Sequence, residues 1–295
     1  MKRIIKETML GRYEDYLKGR EKSKATIRKY LCDLWKLMNY AGRKEISKEL
    51  MLAYKDKLLT QDGYKISSIN SYLAAANSFF EYMGWFDLKV KAYKMQKETF
   101  CPENKYLSKG EYYMLVKKAK EMGKLRLAMI LQTICAMGIR VSELKAVTVE
   151  AVRNNSVTIY NKGKVRTVFF PDELRKELLY YIGRNGIQKG FVFCTASGKA
   201  VNRSNIWREM KSLCKKAGVD EAKVFPHNLR HLFATVFYEM KKDIAKLADV
   251  LGHSNIETTR IYIKTTGREH RKLLNQMKLV LETEYGREPE PVCCW

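Results

Sequence analysis

Residues 225–264 read FPHNLRHLFATVFYEMKKDIAKLADVLGHSNIETTRIYIK and contain three of the four histidines of the chain. Pro226 is typical of the first turn of a helix and Gly252 of the residue that ends one, so two consecutive helices are predicted here. The side chains of this stretch suit three different structures: a metal site, a helical core with incidental histidines, or a site that binds an anion.

The metal-site interpretation conflicts with the residues between the first two histidines. His227 and His231 are four residues apart, which would place both imidazoles on one helix face, as zinc ligands often are. The residue after His227 is not the glutamate of an HExxH motif, and Arg230 would put a permanent cation beside a divalent ion. We therefore predict no metal site and no cofactor.

The combination of residues suits a bound phosphate diester. Arg230 offers a planar fork of donors that matches two non-bridging oxygens, and His227 and His253 can move protons near neutral pH. A phenol is a weak nucleophile until its proton is removed, so the Tyr262 hydroxyl needs activation before it can attack phosphorus. His231 alone fits an apolar helix as a hydrogen-bonded core residue.

HNLRH (227–231) followed by LGHSNIETTRIY (251–262) resembles the phage-integrase, or tyrosine recombinase, family, whose signature is H-x-x-R, then H or W, then Y. Upstream, MGIRVSELKAV (137–147) supplies the arginine that this family has after a buried helix, and IYNKGKVRTVFF (159–170) supplies the lysine of its β-hairpin turn. The motifs occur in the order of the family, and the resemblance covers the whole chain.

The resemblance implies that Tyr262 is a nucleophile that attacks a scissile phosphate of double-stranded DNA. The products are a 3′-phosphotyrosyl link and a free 5′-hydroxyl, and a 5′-hydroxyl from a partner duplex reverses the step. The implied catalytic residues, in chain order, are Arg140, Lys162, His227, Arg230, His253 and Tyr262.

Each catalytic residue has an implied role. The two arginines bind the non-bridging oxygens, Lys162 protonates the leaving oxygen, His227 helps to remove the tyrosyl proton, and His253 bonds the phosphate. The turn of the family commonly reads G-K-G-x-K-x-R, one residue longer than NKGKVR here, so Lys164 remains the alternative to Lys162.

Two further residues of the motifs are predicted to support the catalytic set. Glu143 is expected to orient Arg140 or His227, and His231 is expected to be structural. Neither is expected to touch the DNA.

The predicted fold is mainly α with a small β-hairpin, in two domains. Four amphipathic helices make residues 1–90 a helical core-binding domain, which the resemblance identifies as SAM-like. Lysine-rich residues 91–105 are predicted to be an extended linker. Residues 106–285 form the catalytic domain, which the resemblance identifies as a DNA breaking-rejoining fold, and residues 286–295 a flexible tail.

Several local signals organise the catalytic domain. Ser108 and Glu111 form a predicted capping box, and KLRLAMILQTICAMG (124–138) is a predicted buried helix that ends at Gly138. SVTIYNKGKVRTVFFP (156–171) is a strand-turn-strand signal, and FVFCT (191–195) is expected to add an edge strand.

The charge balance points to a polyanion partner. Lys and Arg number 56 against 32 Asp and Glu, a formal charge of +24, which favours nucleic acid over a membrane surface. There is no 18-residue apolar run and no signal-peptide core, and the seven cysteines lack a CxxC pair, so a cytoplasmic protein without membrane association is expected.

Recombination by this chemistry implies four protomers, a homotetramer on two DNA sites, from a chain that is monomeric or weakly associating when free. SSINSYLAAANSF (67–79) and NRSNIWREMKSL (202–213) are candidate base-reading helices, and GREHRKLLNQMKLVLETEY (267–285) is a candidate helix for docking on a neighbour. Two alternatives are a type IB topoisomerase-like nicking-closing enzyme and a DNA-binding protein whose catalytic set is idle.

Overall fold

The computed structural model describes residues 3–42, 44–95, 105–161, 163–195, 197–263, 271 and 274–277. The chain divides into two compact units, Met1–Lys97 and Glu98–Trp295. The tail predicted for 286–295 and most of the predicted docking helix lie outside the described residues.

The first unit is a helical bundle. Its helices are α1 (Glu7–Gly19), α2 (Lys24–Ala41), α3 (Lys48–Thr60) and α4 (Ile66–Met83). Ser47 caps α3 by accepting a hydrogen bond from the amide of Leu50. The apolar faces meet in a core of tyrosine, phenylalanine and leucine, so the predicted four-helix arrangement is confirmed.

The segment after α4 is fastened to that helix by two asparagines. The Asn77 side chain pairs with the backbone N–H and C=O of Val90 at 3.0 and 2.8 Å, and Asn70 pairs with Tyr93 at 2.8 and 2.9 Å. Each asparagine amide thus bonds both backbone groups of one residue, as a neighbouring β-strand would. The first residues of the predicted linker, 91–105, therefore lie on the first unit, whereas the domain boundaries themselves remain a prediction.

The second unit is mainly helical as well. Its elements are α5 (Lys109–Glu121), α6 (Leu125–Met137), α7 (Val149–Arg153), β1 (Ser156–Asn161), β2 (Lys164–Phe169), α8 (Asp172–Arg184), α9 (Arg203–Ala217), α10 (Pro226–Lys241), α11 (Ile244–Leu251) and α12 (Ile256–Arg260). Short 3-10 turns cover Val141–Ala146 and Ile261–Ile263. The predicted capping box of Ser108 and Glu111 begins α5.

Helix α6 is the central helix of this unit and packs against α5, α8 and α10. It ends at Gly138, whose φ of +62° is a left-handed conformation, and a Cβ there would lie 2.3 Å from the ring of Phe233 in α10. Glycine therefore lets α10 approach the end of α6 closely. Within the described ranges, no helix combines the length and the apolar character needed to cross a membrane.

The β-hairpin is confirmed, but its predicted edge strand is not. Strands β1 and β2 pair antiparallel, from Ser156 opposite Phe169 to Asn161 opposite Lys164, around Gly163. FVFCT forms only isolated bridges, between Thr148 and Phe191 and between Cys194 and Ala200. The edge-strand prediction was wrong because this apolar segment finds its backbone partners in neighbouring loops.

Candidate active site

Arg230 is the buried centre of the candidate site. It lies in the first turns of α10 with 1% of its surface exposed, and its pKa is lowered to about 10, by burial first and by Arg140 second, so it stays charged at neutral pH. Nη1 donates to the carbonyl of Gly138 at 2.6 Å, and Nη2 donates to the carbonyl of Leu251 at 2.7 Å. The ends of α6 and α11 therefore hold the guanidinium in place before any ligand binds.

His253 follows the Gly252 turn and bonds to the same guanidinium. Nη2 of Arg230 lies 3.0 Å from Nε2 of His253, and Nδ1 of His253 lies 2.9 Å from Oγ1 of the buried Thr259. Because arginine can only donate, Nε2 accepts and the proton is on Nδ1. Burial first, and then Arg230 and Arg140, lower the pKa of His253 to about 4, so this imidazole is neutral at neutral pH.

Tyr262 lies on the 3-10 turn after α12, with 4% of its surface exposed. Three imidazoles surround its ring. The centroid separations are 5.6 Å to His227, 5.2 Å to His231 and 5.8 Å to His253, whose ring is nearly parallel to it. Its phenol group also interacts favourably with the Arg230 cation. The tyrosine and the arginine are therefore neighbours within one chain.

Arg140 stands at the other side of the site, two residues after Gly138. Its backbone N–H donates to Oε2 of Glu143 at 2.8 Å, and its Nη1 donates to Oε1 at 2.9 Å. Burial alone would raise the pKa of Glu143, but hydrogen bonds from Arg166 and Arg140 outweigh it and the pKa is lowered. Glu143 is thus an ionised carboxylate that contacts Arg140, and no contact with His227 is observed among the described residues.

Arg166 belongs to this cluster and was missed by sequence reasoning. It donates to both carboxylate oxygens of Glu143, Nη2 to Oε2 at 2.7 Å and Nη1 to Oε1 at 3.2 Å. The sequence signal for Arg166 is the final arginine of the family turn G-K-G-x-K-x-R, which matches the R of NKGKVR. Its ion pair is visible only when β2 is placed beside the 3-10 turn that holds Glu143.

A cleft of about 420 Å³ opens between Arg140 and His227. It is lined by Arg140, Val141, Ser142, Arg203, Trp207, Phe225, Pro226, His227 and Arg230. The side chain of His227 remains partly open to solvent, and its pKa is lowered because the cleft walls displace water and because Arg230 and Arg140 oppose a second charge. A neutral imidazole therefore faces a cavity with two guanidiniums, which suits a phosphate.

His231 has different surroundings from the other two histidines. Its ring stacks on Tyr106 at a centroid distance of 3.6 Å and meets the ring of Tyr262 edge-on, and its Nδ1 lies 3.3 Å from the Thr235 hydroxyl. Burial first and His227 second lower its pKa to about 4. It is a neutral ring packed beneath Tyr262.

The side chains of the two candidate lysines are not among those that the structure describes. Lys162 lies outside the described residues, and Lys164 begins β2 without a described side chain. The other predicted site residues come together from four separate segments of the second unit. These are Arg140, Glu143, His227, Arg230, His231, His253 and Tyr262.

Potential metal ligands do not cluster in the described part of the chain, where no three His, Cys, Asp or Glu side chains are placed to hold an ion. His227 and His231, the pair at zinc-like spacing, contact Tyr262 from two directions.

Two family models match the chain. The model of the phage integrase family covers residues 105–269, and the model described as phage integrase, N-terminal SAM-like domain, covers residues 10–85. The first includes every described residue of the candidate site.

Full-length relatives match as well. Tyrosine recombinase XerA of Pyrococcus furiosus is 29% identical over 97% of this chain and 99% of its own length. Tyrosine recombinase XerA of Pyrococcus horikoshii is 30% identical over 96% of this chain and 98% of its own length.

Solved structures share the fold. The crystal structure of XerA recombinase is 25% identical, covers 93% of this chain and 99% of its own, and has a TM-score of 0.52. A lambda integrase tetramer bound to a Holliday junction is 14% identical, covers 97% of this chain and 79% of its own, and has a TM-score of 0.71.

Proposed function

The chain belongs to the phage integrase family of tyrosine recombinases, and on that premise we propose that it is a site-specific recombinase that cleaves DNA with Tyr262. Membership of this family makes it an enzyme that cleaves and rejoins DNA. The observation that carries the residue assignment is the position of Tyr262, which is buried among three imidazoles beside a guanidinium fixed by two backbone carbonyls.

In the proposed cleavage step, the Tyr262 oxygen forms a bond to the scissile phosphorus and the bond from phosphorus to the 5′-oxygen breaks. The DNA 3′ end remains attached to the enzyme as a phosphotyrosine, and the released strand carries a 5′-hydroxyl. A 5′-hydroxyl from the partner duplex reverses the step, so the phosphodiester is conserved and no ATP is consumed. This exchange supports integration, excision, inversion or resolution.

Arg140 and Arg230 are proposed to bind the non-bridging oxygens and to balance the charge that grows in the pentacoordinate transition state. Their placement supports this role, because both line the same cleft and two backbone carbonyls fix the position of the Arg230 guanidinium. Fixed guanidiniums can supply the positive charge that many nucleases take from Mg²⁺, so cleavage is proposed to need no added metal.

Proton transfer is proposed to involve His227 and the hairpin lysine. His227 borders the cleft, has a lowered pKa and lies beside the tyrosine ring, so its neutral imidazole can take the phenolic proton. Lys162 is proposed to give a proton to the leaving 5′-oxygen, with Lys164 as the alternative. The lysine followed by glycine in NKGKVR, as in the G-K-G of the family turn, supports the choice of Lys162.

His253 is proposed to bond the phosphate after a change of tautomer. In the free protein Nε2 accepts from Arg230 and therefore has no proton to give. When a phosphate oxygen engages Arg230, Nε2–H can donate to that phosphate, provided that the Thr259 hydroxyl turns round and donates to Nδ1. A hydroxyl can serve as donor or acceptor, which makes Thr259 a suitable partner in both states.

The proposed substrate is double-stranded DNA, bound by both units of the chain. The basic excess supports this, because phosphate contacts supply much of the affinity of DNA-binding proteins. Arg203 and Trp207 of α9 line the active-site cleft, which supports α9 as a base-contacting helix. In α4 the amide of Asn70 is already bonded to Tyr93 and that of Asn77 to Val90, so neither is free to read bases.

The proposed assembly is a homotetramer on two DNA sites, formed from chains that are monomeric or weakly associating in solution. The lambda integrase tetramer on a Holliday junction, which shares the fold, supports this proposal. A type IB topoisomerase-like activity is the alternative, since the same chemistry by one protomer would nick and reseal DNA without exchange. Relaxation of any supercoiled plasmid by the monomer would favour that alternative.

Cleavage can be tested with a duplex that carries a nick next to the scissile phosphate. The site is first selected from random duplex DNA by binding to Tyr262→Phe. The short fragment then diffuses away after cleavage and religation fails, so a covalent complex accumulates. Wild type should form this complex in EDTA, as should the control Tyr238→Phe from α10, whereas Tyr262→Phe should not. An adduct with Tyr262→Phe would refute the proposed nucleophile, and dependence on Mg²⁺ would refute metal-independent cleavage.

A further inference from the structure

The carboxylate of Glu143 accepts hydrogen bonds from two arginines that come from different parts of the chain, and Nη1 of a third, Arg230, lies 4.0 Å from its Oε2. Arg140 uses one guanidinium nitrogen and its backbone N–H, whereas Arg166 of β2 uses two guanidinium nitrogens. The side chain of Glu143 is 6% exposed and that of Arg166 is 12% exposed, against 32% for Arg140. The inner side of the carboxylate is thus occupied by Arg166, and Arg140 is the partner that reaches solvent.

Arg166 is held in this position by packing as well as by its ion pair. It lies against Gly252, where a Cβ would be 2.8 Å from Cδ of Arg166 and 2.9 Å from Nη1. Gly252 has a φ of +67° and stands between Leu251, which accepts from Arg230, and His253. Arg166 therefore packs between the turn that holds Glu143 and the turn that carries His253.

We propose that Arg166 is a positioning residue for DNA cleavage, which holds Glu143 so that Arg140 keeps part of its guanidinium free for the scissile phosphate. This inference rests on the function proposed above. Within the described residues Arg166 donates no hydrogen bond to Tyr262 or to the residues that line the cleft, and its hydrogen-bonded link to the site runs through Glu143. Its charge also lies near His253, where it adds to the other cations that lower the pKa of that imidazole.

The physical reason is a competition for Arg140. An ionised carboxylate and a phosphate both favour two parallel hydrogen bonds from a guanidinium. While Arg166 takes up both oxygens of Glu143, the carboxylate is largely neutralised and engages only one nitrogen of the Arg140 guanidinium. Without Arg166, both oxygens of Glu143 are free to bind two nitrogens of the Arg140 guanidinium. That pairing would draw the guanidinium away from the phosphate.

The test compares two nicked substrates that differ in one substituent on the scissile phosphorus, a non-bridging oxygen in one and a methyl group in the other. In one, the scissile group is a phosphodiester. In the other it is a methylphosphonate, which lacks the negative charge and so depends less on cations. Arg166→Ala should slow covalent trapping of the phosphodiester by at least about 10-fold, less than the roughly 100- to 1000-fold typical of losing a direct transition-state donor. That loss should shrink on the methylphosphonate, as should the loss in Arg140→Ala.

A double-mutant cycle separates an effect through Arg140 from a direct effect of the lost charge. In the Arg140→Ala background, adding Arg166→Ala should change the rate by less than about 3-fold, because the residue through which it acts is already gone. Arg166→Lys keeps the charge without the two-nitrogen fork and should recover only part of the rate. Arg126→Ala is the matched control, since it also breaks a half-buried ion pair of this unit, with Glu209, away from the cleft.

Three results would overturn the inference: an unchanged rate in Arg166→Ala, an equal loss on both substrates, or a full additional loss in the Arg140→Ala background. Failure of wild type to form any adduct would instead overturn the proposed function. If Arg166→Ala unfolds, as judged by its thermal transition against Arg126→Ala, Arg166→Lys takes its place on the same two substrates.

Discussion

Arg230 donates a hydrogen bond to Nε2 of His253 at 3.0 Å, and this contact makes the histidine an acceptor in the free protein. The bond joins α10 to the turn after α11, two elements that the sequence separates by a full helix. A phosphate that binds Arg230 must share or replace this bond. The state of His253 is therefore coupled to whether the site is occupied.

Thr259→Val should test this coupling. Valine has nearly the shape of threonine but can neither donate to nor accept from Nδ1 of His253. We expect covalent trapping to slow by roughly 10-fold or more, since a lost buried hydrogen bond is worth about 1 kcal/mol or more, while DNA affinity stays within a few-fold of wild type. Thr259→Ser should keep the wild-type rate. Equal rates for the valine and serine variants would contradict the proposed tautomer change.

Arg230→Ala should lower stability as well as activity. The carbonyls of Gly138 and Leu251 would lose their buried donor, and each unpaired group costs about 1–3 kcal/mol. Urea unfolding should show this loss. Arg260→Ala is the control, because this arginine of α12 is 65% exposed in its ion pair with Glu257 and should change stability by about 1 kcal/mol or less. An Arg230→Ala variant as stable as wild type would mean that the two carbonyls do not depend on it.

Acid should destabilise the protein through His231. Its pKa is about 4 in the folded chain against an ordinary value of 6.5, so the native state binds fewer protons than the unfolded state. The stabilising contribution is complete above pH 6.5 and is lost as the pH falls towards 4, which amounts to about 2 kcal/mol at pH 5. His231→Phe keeps a ring against Tyr106, and its unfolding free energy should fall less steeply between pH 7 and pH 5. If the unfolding free energy of His231→Phe fell as steeply between pH 7 and pH 5 as that of wild type, a group other than His231 would cause the acid destabilisation.

The hairpin lysines should differ in their effect on the leaving group. Lys162→Ala should slow trapping of an ordinary phosphodiester by about 100-fold or more, as expected when a general acid is lost, and Lys164→Ala should have a much smaller effect. A leaving group whose departing atom is sulfur needs no proton. Such a substrate should therefore restore the cleavage rate of the variant that has lost the general acid, which we expect to be Lys162→Ala. If the sulfur substrate restored the trapping rate of Lys164→Ala instead of that of Lys162→Ala, Lys164 would be the general acid.

Sequence reasoning recovered the elements that depend on local patterns. The apolar run of 124–138 identified the buried helix, Gly138 its end, and the turn at Gly163 the hairpin. The motif of His227 and Arg230 favours a phosphate site over a metal site, and that part of the sequence analysis stays a prediction. These signals lie within one turn or one strand pair, where spacing alone fixes which side chains share a face.

Contacts between segments that are distant in the sequence could not be predicted in this way, because they depend on tertiary packing. The pairing of Arg166 with Glu143 spans 23 residues and depends on how β2 packs against a 3-10 turn. The bond from Thr259 to His253 depends on the buried position of α12. FVFCT has the composition of a strand, but only tertiary packing decides whether an apolar segment meets a sheet edge or loops.

The most direct test of the central claim is to locate the covalent bond. The trapped complex of wild type with nicked DNA is digested with trypsin and nuclease, and the nucleotide-bearing peptide is sequenced by mass spectrometry. We expect the peptide Ile261–Lys264, IYIK, with a 3′-linked nucleotide phosphate on Tyr262. A nucleotide on another residue, or one joined through its 5′-phosphate, would contradict the account.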